Sequence, residues 1–148
     1  MESKAAAILV AGLAALAATP AGAQSRSTWD GVFSEEQAGR GAALYQLECA
    51  SCHGPQLDGI DASPPLTGGR FASNWNGVII ADMVDRIRIS MPQNAPGKLN
   101  RQQVTDVLAY ILSMNGFPAG ERELPRQAGT QRTITYEAYR GESPPPER

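Results

Sequence analysis

The stretch Cys49-Ala50-Ser51-Cys52-His53 decides how this chain is interpreted, because it holds both cysteines and the single histidine of the 148-residue sequence. Two thiols at the C-x-x-C spacing, followed at once by a histidine, form a haem-attachment signature. The thiols can bond to the two vinyl groups of one haem, and the imidazole can then ligate its iron. The stretch therefore predicts one covalent haem c held by Cys49, Cys52 and His53.

Three other chemistries are compatible with a C-x-x-C pair. A thioredoxin-like dithiol normally accompanies a βαβ pattern, whereas the residues before Cys49 have a helical pattern. Structural zinc needs four ligands, so a carboxylate would have to join the three residues available here. A disulfide between Cys49 and Cys52 closes a very short loop and contributes little stability. All three are weaker predictions than haem attachment.

The first 23 residues have the pattern of a secretory signal peptide. Lys4 precedes an Ala- and Leu-rich apolar run, and a small-x-small site predicts cleavage between Ala23 and Gln24. The alternative is an uncleaved anchor, but the run is short for a bilayer span of ~20 residues. Export predicts a periplasmic protein, which agrees with the extracytoplasmic attachment of haem to thiols in bacteria. No later segment is apolar enough to predict a membrane span after cleavage.

The rest of the chain has the length of one domain. We expect a polar lead-in over residues 24–34, the haem-binding domain over 35–120, and an extended or partly disordered tail over 121–148. The net charge of −2 argues against nucleic acid as a partner.

The apolar spacing predicts an all-α fold with three main helices around one haem, joined by long loops. The first helix is expected to follow the cap Ser34 and to run from Glu35 to Leu47. The second runs from Ile80 to about Ile89, and the third follows the cap Asn100. Residues 54–76 and 91–99 are expected to be loops. Residues 133–139 alternate weakly, which predicts a short extended arm.

Met91 is the best candidate for the second axial ligand of the iron. Met83 and Met114 lie on predicted helices at positions typical of core packing. Met91 instead follows a helix end and precedes Pro92, so its thioether is free to reach the haem. Ligation by His53 and Met91 raises the reduction potential and leaves no open site for a substrate, which favours electron transfer over catalysis.

Two other features leave alternatives open. Pro64-Pro65 can offer a backbone carbonyl to the second ring nitrogen of His53, as metal-bound histidines usually require, or it can be a stiff turn. Basic side chains in and near the second and third helices can form a rim for a redox partner, or an ordinary solvated surface. These residues are Arg70, Arg86, Arg88, Lys98 and Arg101.

From Glu35 to Asn115 the chain resembles the class I c-type cytochromes. Gly41 and Tyr45 match a glycine and an aromatic residue that pack the first helix against the last in that family. In this chain the matching partners on the third helix are Val107 and Tyr110. The resemblance implies a small cytochrome c fold and haem c as the cofactor.

The resemblance also extends to individual haem contacts. The segment Pro64-Pro65-Leu66-Thr67-Gly68 is similar to the family's Pro-x-Leu-x-Gly segment, which implies that Pro64 and Leu66 contact the haem group or its histidine. Arg70 and Trp75 resemble residues that bind a haem propionate, and Met91-Pro92 resembles the axial methionine segment.

A narrower similarity, from Met91 to Leu124, links the chain to cytochromes associated with periplasmic quinoprotein dehydrogenases. It implies redox protein partners, with a quinoprotein dehydrogenase as a possible donor and an oxidase as acceptor. We therefore expect an electron carrier rather than an enzyme. The alternatives are a dedicated subunit of a dehydrogenase complex and, less favoured, a ligand-binding or catalytic haem protein.

Overall fold

The computed structural model describes residues 25–141. The predicted signal peptide, its cleavage site and the last part of the predicted tail lie outside these residues. Within them, no helix is long and apolar enough to cross a membrane.

The described part of the chain is mostly helical, as the sequence predicts. Six helices follow in order, with a pair of very short strands flanking them. The strands are β1 (Arg26–Ser27) and β2 (Ile134–Thr135), and they pair in parallel. The helices are α1 (Glu35–Glu48), α2 (Ala50–His53), α3 (Gly68–Trp75), α4 (Ile80–Ser90), α5 (Arg101–Met114) and α6 (Ala128–Gln131).

The two longest helices begin at the capping residues that the sequence indicates. The Ser34 hydroxyl accepts the backbone N–H of Gln37 at 3.2 Å at the start of α1. Asn100 and Gln103 form a reciprocal capping box at the start of α5, with both hydrogen bonds at 3.0 Å. These bonds satisfy N–H groups that a helix terminus leaves without partners, so each helix starts at a defined residue.

Helices α1 and α5 cross at Gly41 and form the centre of the fold. A Cβ atom on Gly41 would lie 1.9 Å from the carbonyl oxygen of Asp106, so only glycine permits this crossing. One turn later Tyr45 and Tyr110 pack with ring centroids 5.4 Å apart. The structure thus brings Gly41 and Tyr45 against Tyr110, as the resemblance implies.

Residues 54–76 contain a helix that the sequence does not predict. This segment is expected to be a loop, but its second half forms α3, which buries Phe71 in the core. The helix carries glycine at both of its first two positions and only one buried apolar side chain, so its helical period is too short to detect in the sequence.

The lead-in and the tail are packed more extensively than the sequence predicts. Val32 and Phe33 in the lead-in are buried, and so are Leu124, Ile134 and Tyr136 in the tail. The extended arm expected over residues 133–139 contains β2, while the helix α6 before it is not predicted. Part of the segment 121–141 therefore contributes to the core, while the predicted domain bounds at residues 35 and 120 stay a prediction.

Candidate functional site

The C-x-x-C-H stretch forms a single helical turn. Cys49 ends α1 and also begins α2, and its carbonyl oxygen accepts the backbone N–H of His53 at 2.9 Å. In a helix, residues at positions i, i+3 and i+4 share one face. Cys49, Cys52 and His53 have this spacing, so the turn presents both sulfur atoms and the imidazole on one side.

The two thiols differ in their surroundings. Cys49 is partly buried and Cys52 is exposed, and they are not joined by a disulfide. Burial, with smaller contributions from Glu48 and Cys52, raises the pKa of the Cys49 thiol to about 11. A raised thiol pKa is the opposite of the lowered pKa that activates the thiol of a thioredoxin-like dithiol.

His53 is oriented by the proline segment. Its Nδ1 atom lies 2.8 Å from the carbonyl oxygen of Pro64. A carbonyl oxygen can only accept a hydrogen bond, so Nδ1 donates and Nε2 keeps its lone pair. This arrangement fixes the tautomer in which Nε2 can bind a metal, as is usual for metal-bound histidines.

A tight loop between His53 and Pro64 produces this contact. The backbone N–H of Gly59 donates to the His53 carbonyl at 2.8 Å, and Gly59 has a positive φ of 81°. A Cβ atom there would lie 2.6 Å from the Ser63 carbonyl oxygen and 2.9 Å from the Pro65 nitrogen. The sequence analysis does not single out Gly59; its position in a Gly-, Asp- and Pro-rich stretch is the signal that could have done so.

Leu66 continues the same loop and is tied to α5. Its backbone N–H donates to the Leu57 carbonyl at 2.8 Å, and its own carbonyl accepts the Asn115 side-chain amide at 2.9 Å. Asn115 ends α5, so it couples the loop on the His53 side to the helix that packs against α1. From the sequence, Asn115 is only the last residue of the stretch that resembles the class I c-type cytochromes, with no predicted role.

Arg70 and Trp75 lie on α3, with Arg70 exposed and Trp75 partly buried. The Trp75 ring packs near Phe71, with centroids 6.1 Å apart. No contact places either residue beside His53, so their predicted propionate contacts stay predictions.

The three methionines of the described residues have different surroundings. Met83 is 2% exposed within the core, in agreement with the packing role expected for it, whereas Met114 is 40% exposed. The expectation that Met114 packs in the core is wrong, because the end of α5 faces solvent. Met91 follows α4 in extended geometry, and its peptide bond to Pro92 is cis.

The predicted basic rim is largely neutralised by acidic neighbours. Arg101 and Arg88 both lie beside Asp85, at 2.7 and 3.7 Å, and Lys98 contacts Glu48 at 2.8 Å. Paired cations of this kind favour the interpretation as an ordinary solvated surface.

The residues present fit a large flat apolar group. Several apolar side chains pack on the core yet remain partly exposed on the segments that carry the predicted haem contacts: Cys49, Ala50, Leu66 and Trp75. Among residues 25–141, no cluster of three or more His, Cys, Asp and Glu side chains could hold a metal ion by itself. The donor set of two thiols and one imidazole with a fixed tautomer matches haem c.

Comparisons with known proteins agree with this site. The family model described as "Cytochrome C oxidase, cbb3-type, subunit III" matches residues 36–111, which include the C-x-x-C-H turn and Met91. The chain is 35% identical over 77 residues to a "cytochrome c-553-like" protein of Synechocystis sp., covering 52% of this chain and 69% of that protein.

A crystal structure of the sulfane dehydrogenase SoxCD from Paracoccus pantotrophus also resembles the fold. The match covers 60% of this chain but only 52% of the matched chain, with 24% identity and a TM-score of 0.43, which is too weak to support a functional argument. On the family match and the Synechocystis relative, the chain belongs to the cytochrome c family described as cytochrome c oxidase, cbb3-type, subunit III, and it carries covalently bound haem c.

Proposed function

We propose that this electron-transfer cytochrome works in the periplasm with a single haem c ligated by His53 and Met91. The observation that carries the proposal is the 2.8 Å contact between His53 Nδ1 and the Pro64 carbonyl, because it leaves Nε2 as the ligand atom. When bound, the haem supplies an iron that changes between its ferrous and ferric states.

The chain's own residues set the conditions for that chemistry. Cys49 and Cys52 anchor the group to the helical turn, and the Pro64 carbonyl holds the His53 ring in place. Met91 would offer its thioether to the iron, which would favour Fe(II) and would fill the site that a substrate or gas needs. Two filled axial positions are what a carrier requires, since an electron can pass without any ligand entering or leaving.

Leu66, Arg70 and Trp75 complete the proposed haem contacts. Leu66 lies next to the Pro64 segment and supplies an apolar surface. Arg70 and Trp75 lie five residues apart on α3, and the guanidinium and the indole N–H are both donors that could bind a propionate. A neutralised propionate and an apolar wall both favour the less charged ferrous state.

The proposed partners are redox proteins, with a quinoprotein dehydrogenase as electron donor and an oxidase as acceptor. The donor is proposed because the segment from Met91 to Leu124 resembles cytochromes associated with periplasmic quinoprotein dehydrogenases. We place the protein in the periplasm on the signal-peptide pattern; a purified mature protein beginning at Gln24 would support this assignment.

A dedicated subunit of a dehydrogenase complex is the second candidate. Leu47 and Ile89 are 78% and 66% exposed, and each lies two residues before a predicted haem-binding residue, Cys49 or Met91. A contiguous exposed apolar patch marks a partner contact, whereas single exposed apolar side chains are common on any surface. Stable co-purification with a large subunit, abolished by Leu47→Ser and Ile89→Ser together, would favour this candidate over a free carrier.

Replacement of Met91 tests the proposed ligation. Met91→Ala is expected to lower the reduction potential, remove the far-red sulfur-to-iron band of the ferric protein, and allow the ferrous protein to bind carbon monoxide. Potentiometry and visible spectroscopy on the purified cytochrome measure all three.

Met83→Leu and Met114→Leu are the matched controls. Both should keep the far-red band, and their cost in the free energy of unfolding should stay under about 1.5 kcal/mol, as for other volume-conserving swaps. Loss of the band in either control, with retention in Met91→Ala, means that the ligand is misassigned. Ready binding of carbon monoxide by the wild-type protein would favour a ligand-binding haem protein instead.

A further inference from the structure

The segment from Thr133 to Tyr139 crosses the connection between α3 and α4. The backbone N–H of Tyr136 donates to the Val78 carbonyl, and the Tyr136 carbonyl accepts the N–H of Gly77, both at 2.8 Å. Two residues later, the N–H of Ala138 donates to the Asn76 side-chain oxygen at 2.9 Å. The three residues that follow Trp75 are therefore each bonded to this segment.

The Tyr136 ring packs against the buried side of α3. It is 1% exposed and packs edge-on against Phe71, with centroids 6.0 Å apart and planes at 86°. Phe71 in turn packs near Trp75. The Tyr136 ring also packs against Phe117, with centroids 5.1 Å apart. Movement of the Tyr136 ring would therefore disturb the core.

The opposite edge of the segment is fixed to the lead-in. β2 pairs with β1, and the Thr28 hydroxyl accepts the N–H of Glu137 at 3.1 Å. Tyr136 lies outside the residues that the family model matches, yet both its backbone and its ring converge on the part of α3 that ends at Trp75.

We propose that Tyr136 is a positioning residue for the haem site, which holds Trp75 in place through Phe71 and through the backbone of Gly77 and Val78. This inference rests on the proposed function, in which Trp75 contacts a haem propionate. A fixed indole excludes water from that edge of the haem, and a drier surrounding favours the less charged ferrous state. Loss of Tyr136 then lowers the reduction potential without any change in the axial ligands.

The test compares the reduction potentials of the holoprotein variants Tyr136→Ala, Trp75→Phe and the double variant. We expect both single variants to shift the potential downward, and the double variant to be no lower than Trp75→Phe alone, because Tyr136 acts through Trp75. Tyr136→Phe keeps the ring contacts and both backbone bonds, so it should retain the wild-type potential. Tyr136→Leu replaces Tyr136→Ala if the alanine variant does not fold.

Ile134→Ala is the matched control, since Ile134 is equally buried in the same segment. It should lower the melting temperature and leave the potential unchanged. The proposal is overturned by an unchanged potential in Tyr136→Ala, by an equal shift in Ile134→Ala, by additive shifts in the double variant, or by a shift in Tyr136→Phe. The far-red band of each variant reports the proposed Met91 ligation separately. If the band is retained while the potentials contradict the expectation, the role of Tyr136 fails and the Met91 ligation does not.

Discussion

At the scale of single residues, Lys98 shows how one ion pair links two parts of the site. Its ammonium group lies 2.8 Å from both carboxylate oxygens of Glu48, the residue directly before Cys49. Lys98 also belongs to the loop that begins at Met91. The pair therefore joins the loop that carries the proposed thioether ligand to the helical turn that carries the thiols.

This ion pair bears on how the proposed site responds to alkaline pH. The neutral amine of Lys98 is expected to replace the Met91 thioether at high pH, and Glu48 opposes this because it binds the protonated amine away from the iron. Glu48→Gln should lower the midpoint pH of the alkaline spectral transition of the ferric protein. A pH titration at the far-red band measures the midpoint, with the exposed Glu137→Gln as control. If Lys98→Ala shows the same transition as wild type, Lys98 is not the incoming ligand.

At the scale of the elements, the crossing of α1 and α5 positions the haem turn. Tyr45, one turn beyond the crossing, donates its hydroxyl to the Gly54 carbonyl at 2.7 Å, and burial raises its pKa so that it stays a donor. Polar contacts extend the crossing at its outer end: Asp106, 5% exposed, binds the side chains of Gln37, Arg40 and Gln102. The crossing thus holds the end of α1, and with it Cys49, against the core.

Two glycines of α1 provide opposite tests of this crossing. Gly41→Ala places a methyl group against the Asp106 backbone and should destabilise the protein by about 3 kcal/mol, as for other overpacked sites. Gly39→Ala meets no atom within 4 Å and should instead stabilise by roughly 0.5–1 kcal/mol, because alanine is the better helix former. Denaturant unfolding of the two variants measures both values. Equal effects at both positions would contradict the close approach at Gly41.

At the scale of the whole molecule, the segments flanking the family domain close the core. The Gln37 side chain binds Leu124 through both its backbone N–H and its carbonyl, at 2.7 and 3.1 Å. Gln131 is fully buried and its amide donates to the Pro125 carbonyl at 2.7 Å, while its oxygen accepts from Arg101 at 2.6 Å. Removing these segments would leave buried polar groups of α1 and α5 without partners.

A chain limited to residues 35–120 is therefore expected to be much less stable than the full protein. It loses buried apolar side chains on both flanks, each contributing roughly 1.5–3 kcal/mol, which is a large part of the 5–15 kcal/mol that usually stabilises a domain. The melting temperatures of the two haem-loaded proteins measure this difference. Arg122→Ala, in the exposed part of the tail, is the control and should keep the melting temperature of the full protein. A melting temperature equal to that of the full protein would support residues 35 and 120 as true domain boundaries.

Haem attachment and the three main helices could be predicted from the amino-acid sequence alone. The C-x-x-C-H spacing depends on neighbouring residues within one turn, and the caps at Ser34 and Asn100 act within three residues, so both are visible in a linear pattern. The burial of Met83 was predictable for the same reason, from its place in a helical period.

Other parts of the site depend on tertiary contacts. The sequence leaves Pro64-Pro65 as either a carbonyl partner for His53 or a stiff turn, and the contact forms through a loop that depends on the close approach at Gly59. The tail is stabilised by long-range contacts: Tyr136 with α3, Leu124 with Gln37, and β2 with β1. No local period encodes such contacts, because their stability arises from burial and hydrogen bonds between segments that are distant in the chain.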